Sequence, residues 1–242
     1  MPDFVRVDID KFRKDRQSFN NDMVFQHIFN DKKPIEDSNH VNVEALKKVY
    51  EYLGKEIVIA KSIEDDNFAK LLSMFISKKA SRQGSLDEAL VIETIKKFMK
   101  TLDIDFEKSK TNDLVPIKSG QFAGQLLERK DVEKNNIPKT DCLKSIDCLV
   151  IDNTIIIGYG TLKVCFGSGG HQDNVVDELG YFVEWAIKYG KEDKLYLVVI
   201  DSDQVSTTDI KNKSASYENI WVVDHYEFQV KFYDWWSKRQ KV

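Results

Sequence analysis

Residues 144–188 read KSIDCLVIDNTIIIGYGTLKVCFGSGGHQDNVVDELGYFVEWAIK, and the fold is decided there. The apolar run Ile146 to Ile151 carries one acid, Asp147, and a second run, Thr154 to Phe166, carries one lysine, Lys163. Asp152 and Asn153 stand between them as turn formers, so the two runs predict a β-hairpin. Gly167 to Gly170 supply a glycine-serine turn. From Gln172 or Asp173 onward, Val176, Leu179, Val183, Ala186 and Ile187 recur on one face of a helix. Strand, strand, helix is therefore the expected frame.

A charge within a buried strand is costly unless it is paired, bound to a metal or placed at a wet cleft. An ion pair between Asp147 and Lys163 would satisfy that demand by itself. The order of these residues also resembles the PD-(D/E)xK nuclease superfamily: Asp147 matches the family's first acid and Lys163 its lysine. Thr161 stands where the family usually has Asp or Glu. Thr161-x-Lys163 is similar to the Ser/Thr-x-Lys pattern of a subgroup of restriction endonucleases, in which the missing acid comes from the following helix about a dozen residues later. Thirteen residues separate Lys163 from Asp177, and Glu178 is one further on. At about 100° per residue, Asp177 shares a flank with Asp173 and Glu184 beside the apolar stripe, whereas Glu178 points with Trp185 to the far side. Asp177 is the expected acid.

The resemblance implies that Asp147 and Asp177 hold Mg²⁺, that Lys163 orients the attacking water, and that Thr161 fills the vacated acid position as a hydrogen-bonding neighbour. The run Gly169 to Asn174, GGHQDN, also resembles segments that follow the catalytic lysine in restriction enzymes, which implies DNA contacts from His171, Gln172 and Asp173. Upstream, Ser85 and Glu88 have the spacing of a helix N-cap and its partner, and a capping box accounts for both. Glu88 is nonetheless in line with Ile92, Ile95 and Met99 on the inward face of the helix Asp87 to Lys100. It resembles the acid that superfamily members, Holliday-junction resolvases among them, carry on a helix before the catalytic strands. That makes Glu88 a third candidate metal ligand.

The chain has 242 residues, 42% of them hydrophobic, enough for one elaborated domain with a sizeable core. A net charge of −4 argues against an unstructured polycation but not against a locally basic cleft. Cys142, Cys148 and Cys165 form no CxxC pair, and an odd number beside apolar strands suggests reduced thiols and a cytoplasmic protein. No apolar stretch reaches a membrane span, and the first residues lack the apolar core of a signal peptide.

Residues 1–80 read as a helical layer of the same domain, with helices at Phe25 to Phe29, Val43 to Leu53 and Phe68 to Ile76; residues 81–242 read as the α/β core. His27 and His40 have no ligand-spaced partners and are expected to be structural. Residues 101–144 show little periodicity and many cations and amides. Lys139, Lys144 and Gln121, with Arg82 before the helix, are candidate DNA contacts. LYLVVI, Leu195 to Ile200, reads as a strand buried on both faces. A loop with Lys211 and Lys213, a strand Ile220 to Val223 and a docked aromatic helix from Tyr226 complete the chain. The expectation is an α/β protein with a mixed central β-sheet flanked by helices and an N-terminal helical layer, whose resemblance implies a Mg²⁺-dependent, homodimeric type II restriction endonuclease acting on double-stranded DNA. The competing readings are a structure-specific or repair nuclease of the same fold and a non-catalytic DNA-binding module.

Overall fold

The computed structural model describes residues 2–29, 34–79, 84–109, 114–166, 172–203 and 206–240, without the side chains of residues 84, 85, 172 and 173. Arg82 and His171 therefore lie outside the described residues, as do the side chains of Ser85, Gln172 and Asp173. The chain divides into two compact units, residues 8–84 and residues 1–7 with 85–242.

Among the described residues the smaller unit holds four α-helices, α1 (Ile9–Phe29), α2 (Val43–Leu53), α3 (Lys55–Glu64) and α4 (Asp66–Ile76), with a short 3-10 turn at Ile35–Asp37. The Asn42 side chain accepts from Ala45 N to start α2, and Asp65 accepts from Asn67 N and Phe68 N to start α4. Gly54, at φ 81°, ends α2 and admits α3 at once. This one-residue break explains why α3 is invisible to a search for turn clusters. Val24, Ile28, Leu46, Val58, Leu72 and Ile76 form its core. His27 Nε2 lies 2.9 Å from the Pro34 carbonyl and His40 Nδ1 3.1 Å from Asn20 Oδ1, the structural roles expected of lone histidines.

The larger unit is α/β, with a mixed five-stranded sheet flanked by helices. Its elements are α5 (Gly84–Lys100), β1 (Asp105–Lys108), β2 (Leu114–Pro116), β3 (Leu126–Glu128), α6 (Arg129–Lys134), β4 (Cys148–Asp152), β5 (Ile155–Cys165), α7 (Gln172–Tyr189), β6 (Leu195–Ser202), α8 (Thr208–Ser214), β7 (Ile220–Val223) and α9 (His225–Arg239). The sheet order is β1-β4-β5-β6-β7; β1, β4 and β5 pair antiparallel, and β5, β6 and β7 pair parallel. The expected hairpin is β4–β5, with its turn one residue later than the sequence suggests: Asn153 and Thr154 carry the positive φ values, 53° and 114°. Gly160 permits close packing inside it, since a Cβ there would stand 2.8 Å from Cys148 Sγ and 3.0 Å from Leu197 Cβ.

Side chains alternate across the strands. Tyr196, Val198 and Ile200 of β6 pack with Leu179, Phe182, Val183 and Ala186 of α7 and Ile210 of α8. On the other face, Phe228 of α9 lies 5.9 Å from Phe106 and 6.5 Å from Trp221 between ring centroids. The terminal helix is thus core, as its aromatic spacing predicts.

Three sequence expectations are corrected. Residues 101–144 are not one long loop, for they supply edge strand β1, the β2–β3 ribbon and α6; these elements are too short for periodicity to register. Residues 208–214, read as loop, form α8. The first seven residues belong with the larger unit, not the helical one, because Val5 N donates to Gln229 Oε1 and Val7 N to His225 Nε2 at 2.9 and 2.8 Å.

Candidate active site

Asp147 sits immediately before β4 and is fixed from both sides. Its amide donates to the Gly160 carbonyl at 2.9 Å, its carbonyl accepts from Ser109 N, and its Oδ2 accepts from Leu162 N at 3.0 Å. Two positions along β5 from Tyr159, and two more, come Thr161 and Lys163. Strand alternation puts both on the face covered by α7. Lys163 Nζ lies 3.6 Å from Asp147 Oδ2 and 3.5 Å from Glu178 Oε1 of α7, and its side chain is only 12% exposed. Lys144 approaches the same Glu178 oxygen at 3.0 Å from the solvent side.

The electrostatics follow from this crowding. Burial works to lower the Lys163 pKa, but the Asp147 carboxylate beside it, with Glu178 and Glu88, outweighs burial and raises it. Lys163 thus stays an ammonium, suited to donating hydrogen bonds and unsuited to accepting a proton. Glu88, on the first turns of α5, has its carboxyl raised above the usual range, chiefly by burial and also by Asp147, against the opposing pull of Lys163, Lys108 and Lys144. Sensing all four charges, Glu88 belongs to the same electrostatic centre.

The helical-wheel choice of Asp177 is corrected. Asp177 is exposed, and Glu178 is the α7 acid that reaches Lys163. The reason is visible in Trp185, two turns further along. Trp185 is 4% exposed and donates its indole N–H to the Ile117 carbonyl at 2.9 Å, because the segment carrying β2 and β3 covers that flank of α7. The supposed far side is buried, and Glu178, seven residues before Trp185, shares it. Reading Trp185 as part of the buried face would have found Glu178.

Two depressions adjoin this cluster. One of about 300 Å³ is lined by Lys118, Lys144, Asn174, Asp177, Glu178 and Tyr181, with Cys142 and Leu143 in its wall. The other, about 640 Å³, shares Cys142, Leu143 and Lys144 and extends to Lys139, Asn136 and Arg129. Among the DNA contacts expected from sequence, Lys144 and Lys139 meet here. Gln121 is exposed in the turn ahead of β3 and lines neither depression. Lys118 is one of the cations of residues 101–144 that the sequence offers for phosphate contact, whereas Tyr181, whose ring is 5.6 Å from the Lys118 ammonium, was not singled out from sequence.

Among the described residues, no three His, Cys, Asp or Glu side chains are gathered closely enough to hold a metal unaided. Mg²⁺ does not require such a cage, since it is commonly held by one or two carboxylates with water and substrate phosphates. The donor set fits that pattern in kind: Asp147 and Glu178 both approach Lys163 Nζ, and the buried Thr161 Oγ1 beside them has no hydrogen-bond partner. Comparison of the chain with protein-family models, curated proteins and solved structures finds no match.

Proposed function

We propose that the protein is a Mg²⁺-dependent endonuclease that hydrolyses phosphodiester bonds of double-stranded DNA, as a homodimer of the type II restriction endonuclease kind. The observation that carries this reading is Lys163, a largely buried ammonium held between Asp147 and Glu178 beside a depression that Lys118 and Lys144 line together with Asp177 and Glu178. An isolated ion pair would need one acid and one lysine, and here two of each gather, Asp147 and Glu178 with Lys163 and Lys144, with Glu88 in the same field.

In the mechanism proposed, Asp147 and Glu178 would hold Mg²⁺, with Glu88 assisting. When bound, the ion would lower the pKa of an attacking water and offset charge on the phosphate. Lys163, kept protonated by its acids, donates to that water and to the phosphate and fixes the line of attack. Thr161 stands beside it as a hydroxyl rather than a charge. Lys144 and Lys118 meet the phosphates on either side. A duplex presents two strands related by local two-fold symmetry, so cutting both calls for two copies of this centre.

The test is digestion of a plasmid of known sequence by the pure protein with Mg²⁺ or Mn²⁺. Discrete bands are expected; a smear would replace sequence specificity with general nuclease action, and intact DNA with either metal would overturn the reading. A second reading, a DNA-binding module without catalysis, is favoured by Thr161 at the family's acid position and by the lack of a three-ligand cluster among the described residues. Calorimetric titration separates the two, since the module would bind neither Mg²⁺ nor Mn²⁺.

A further inference from the structure

The segment between β1 and β4 builds a feature that cutting a closed duplex does not need. β2, α6 and the strand-like run into β4 enclose the depression of about 640 Å³. Its floor is apolar, made by Val115, Val132, Ile137 and Leu143, and its rim is cationic, made by Arg129, Lys139 and Lys144; Glu133 is the one acid in its lining. It shares Cys142, Leu143 and Lys144 with the smaller depression, where Glu178 and Asp177 stand, and Tyr181 is 53% exposed there with Lys118 over its ring. The larger depression, apolar beneath and cationic at its rim, therefore lies beside the smaller one, where two lysines meet two acids.

A closed duplex offers such a path only phosphates and groove edges, because its base faces are stacked on one another. Phosphates would match the rim but leave the apolar floor against water. An unpaired strand offers both surfaces at once: phosphates for the cations, and flat base faces for the apolar floor, the guanidinium plane of Arg129 and the ring of Tyr181. The volume suits this occupant, lying within the range of sites that enclose small organic groups. Asn136, held at φ 52° on the rim, presents an amide of the kind that reads base edges.

We propose that this groove binds an unpaired DNA strand beside the Asp147–Lys163–Glu178 centre, so that DNA with a single-stranded segment next to the cut is held more tightly than closed duplex. The proposal rests on the nuclease reading for its second half only; strand binding stands alone. It adds branched, flapped and gapped DNA to closed duplex as substrates.

The test measures fluorescence anisotropy of a labelled oligonucleotide of about 16 nucleotides, the upper end of what one groove spans, against the same sequence closed as a blunt hairpin, in EDTA so that nothing is cut. The single strand should bind about tenfold more tightly than the hairpin. Arg129→Ala and Tyr181→Ala should each weaken single-strand binding by about tenfold, as loss of one stacked base predicts, with hairpin binding changed less than about twofold. Both residues are exposed, and circular dichroism and melting curves taken beside the anisotropy separate a loss of binding from a loss of fold. Val132→Trp, which fills the floor, should produce the same selective loss, and if it does not fold the two rim variants decide. Equal affinity for strand and hairpin, equal weakening of both by the rim variants, or tighter binding of the matching RNA would each overturn the proposal. The two ideas fail differently: strand binding without cutting of any DNA by Mg²⁺ or Mn²⁺ removes the nuclease reading and keeps the groove, while cutting of closed plasmid without strand preference does the reverse.

Discussion

The central sheet carries a buried acid–base group on each face, and the two are built to opposite ends. On the α9 face, Asp201 of β6 meets His225 at the start of α9 with Oδ1 and Nδ1 2.6 Å apart, the side chains 7% and 2% exposed. Val7 N donates to His225 Nε2, so the imidazole carries its proton on Nδ1 and donates it to Asp201. One acid meets one ring, and the N-terminal segment closes over both. On the α7 face, Lys163 meets two acids, a second lysine shares one of them, and the group borders open depressions. The closed group gives its ring a carboxylate on one nitrogen and a backbone donor on the other, while the second carboxylate oxygen, Asp201 Oδ2, is buried without a hydrogen-bond partner. The open group gathers two acids and two lysines at the edge of a depression, the kind of clustered charge that functional sites collect.

The sharpest way to break this contrast is to remove the open cation. Lys163→Ala should lower cleavage by about 10²- to 10⁴-fold, the usual weight of a group that assists proton transfer or orients the nucleophile, measured by initial rates on a plasmid. Asp147 then loses its ammonium partner while Glu178 keeps Lys144, so the variant should melt lower than the parent without metal and regain much of the loss with Mg²⁺, since a ligand that binds only the folded state stabilises it. A lower melting temperature that Mg²⁺ leaves untouched, with activity per folded molecule preserved, would make Lys163 an ion-pair partner like His225.

The acids of α7 sharpen the comparison further. Glu178→Gln keeps the shape and removes the charge facing Lys163, so cleavage should collapse, whereas Asp177→Asn, one residue away and exposed, should lower it by less than about threefold, the scale of a rim contact rather than a ligand. A dead Asp177→Asn beside an active Glu178→Gln would restore the assignment drawn from the helical wheel.

That reversal shows what a sequence can and cannot carry. The hairpin, α7, β6, β7 and α9 were legible because each is long or strongly apolar, so its period stands out. Asp147 and Lys163 were legible because a lone charge in an apolar strand calls for a reason. Glu178 was not, because the periodicity of one helix reports one buried stripe, while α7 is buried on two flanks, by the sheet and by the segment carrying β2 and β3. That segment was itself illegible: strands of three residues and a helix of six take their stability from what they lie against, here Trp185 and the run into β4. The join of residues 1–7 to the larger unit was hidden for a similar reason, since it depends on His225 and Gln229, more than two hundred residues away.

The closed group should behave in the opposite sense to the open one. His225→Ala leaves the Asp201 carboxylate buried without its donor and frees Val7 N, and stranding one member of such a pair costs about 3 kcal/mol. For a unit of this size that is a fall of about 6–12 °C in melting temperature. Cleavage per folded molecule should be unchanged. A variant that melts normally but does not cut would place His225 in the chemistry and dissolve the contrast between the two faces.

The smallest effect concerns Glu88, and it separates the two groups by pH. Burial raises its pKa above the ordinary 4.5, so the folded chain holds this proton more tightly than the unfolded chain does. The contribution is favourable below the unfolded value and is lost as the pH climbs through the raised folded value, where the carboxylate must ionise while still half-buried. Without metal, Glu88→Gln should therefore melt slightly higher than the parent at pH 8 and no higher at pH 4. With Mg²⁺ present the order at pH 8 should invert, because the ion would reward the charge that burial penalises, and cleavage by Glu88→Gln should fall. His225→Ala provides the control, as its melting deficit should not respond to Mg²⁺ at either pH. If Glu88→Gln melts lower than the parent at pH 8 without metal, the carboxylate is stabilised where it stands, as a helix cap would be, and it belongs with the closed kind of group.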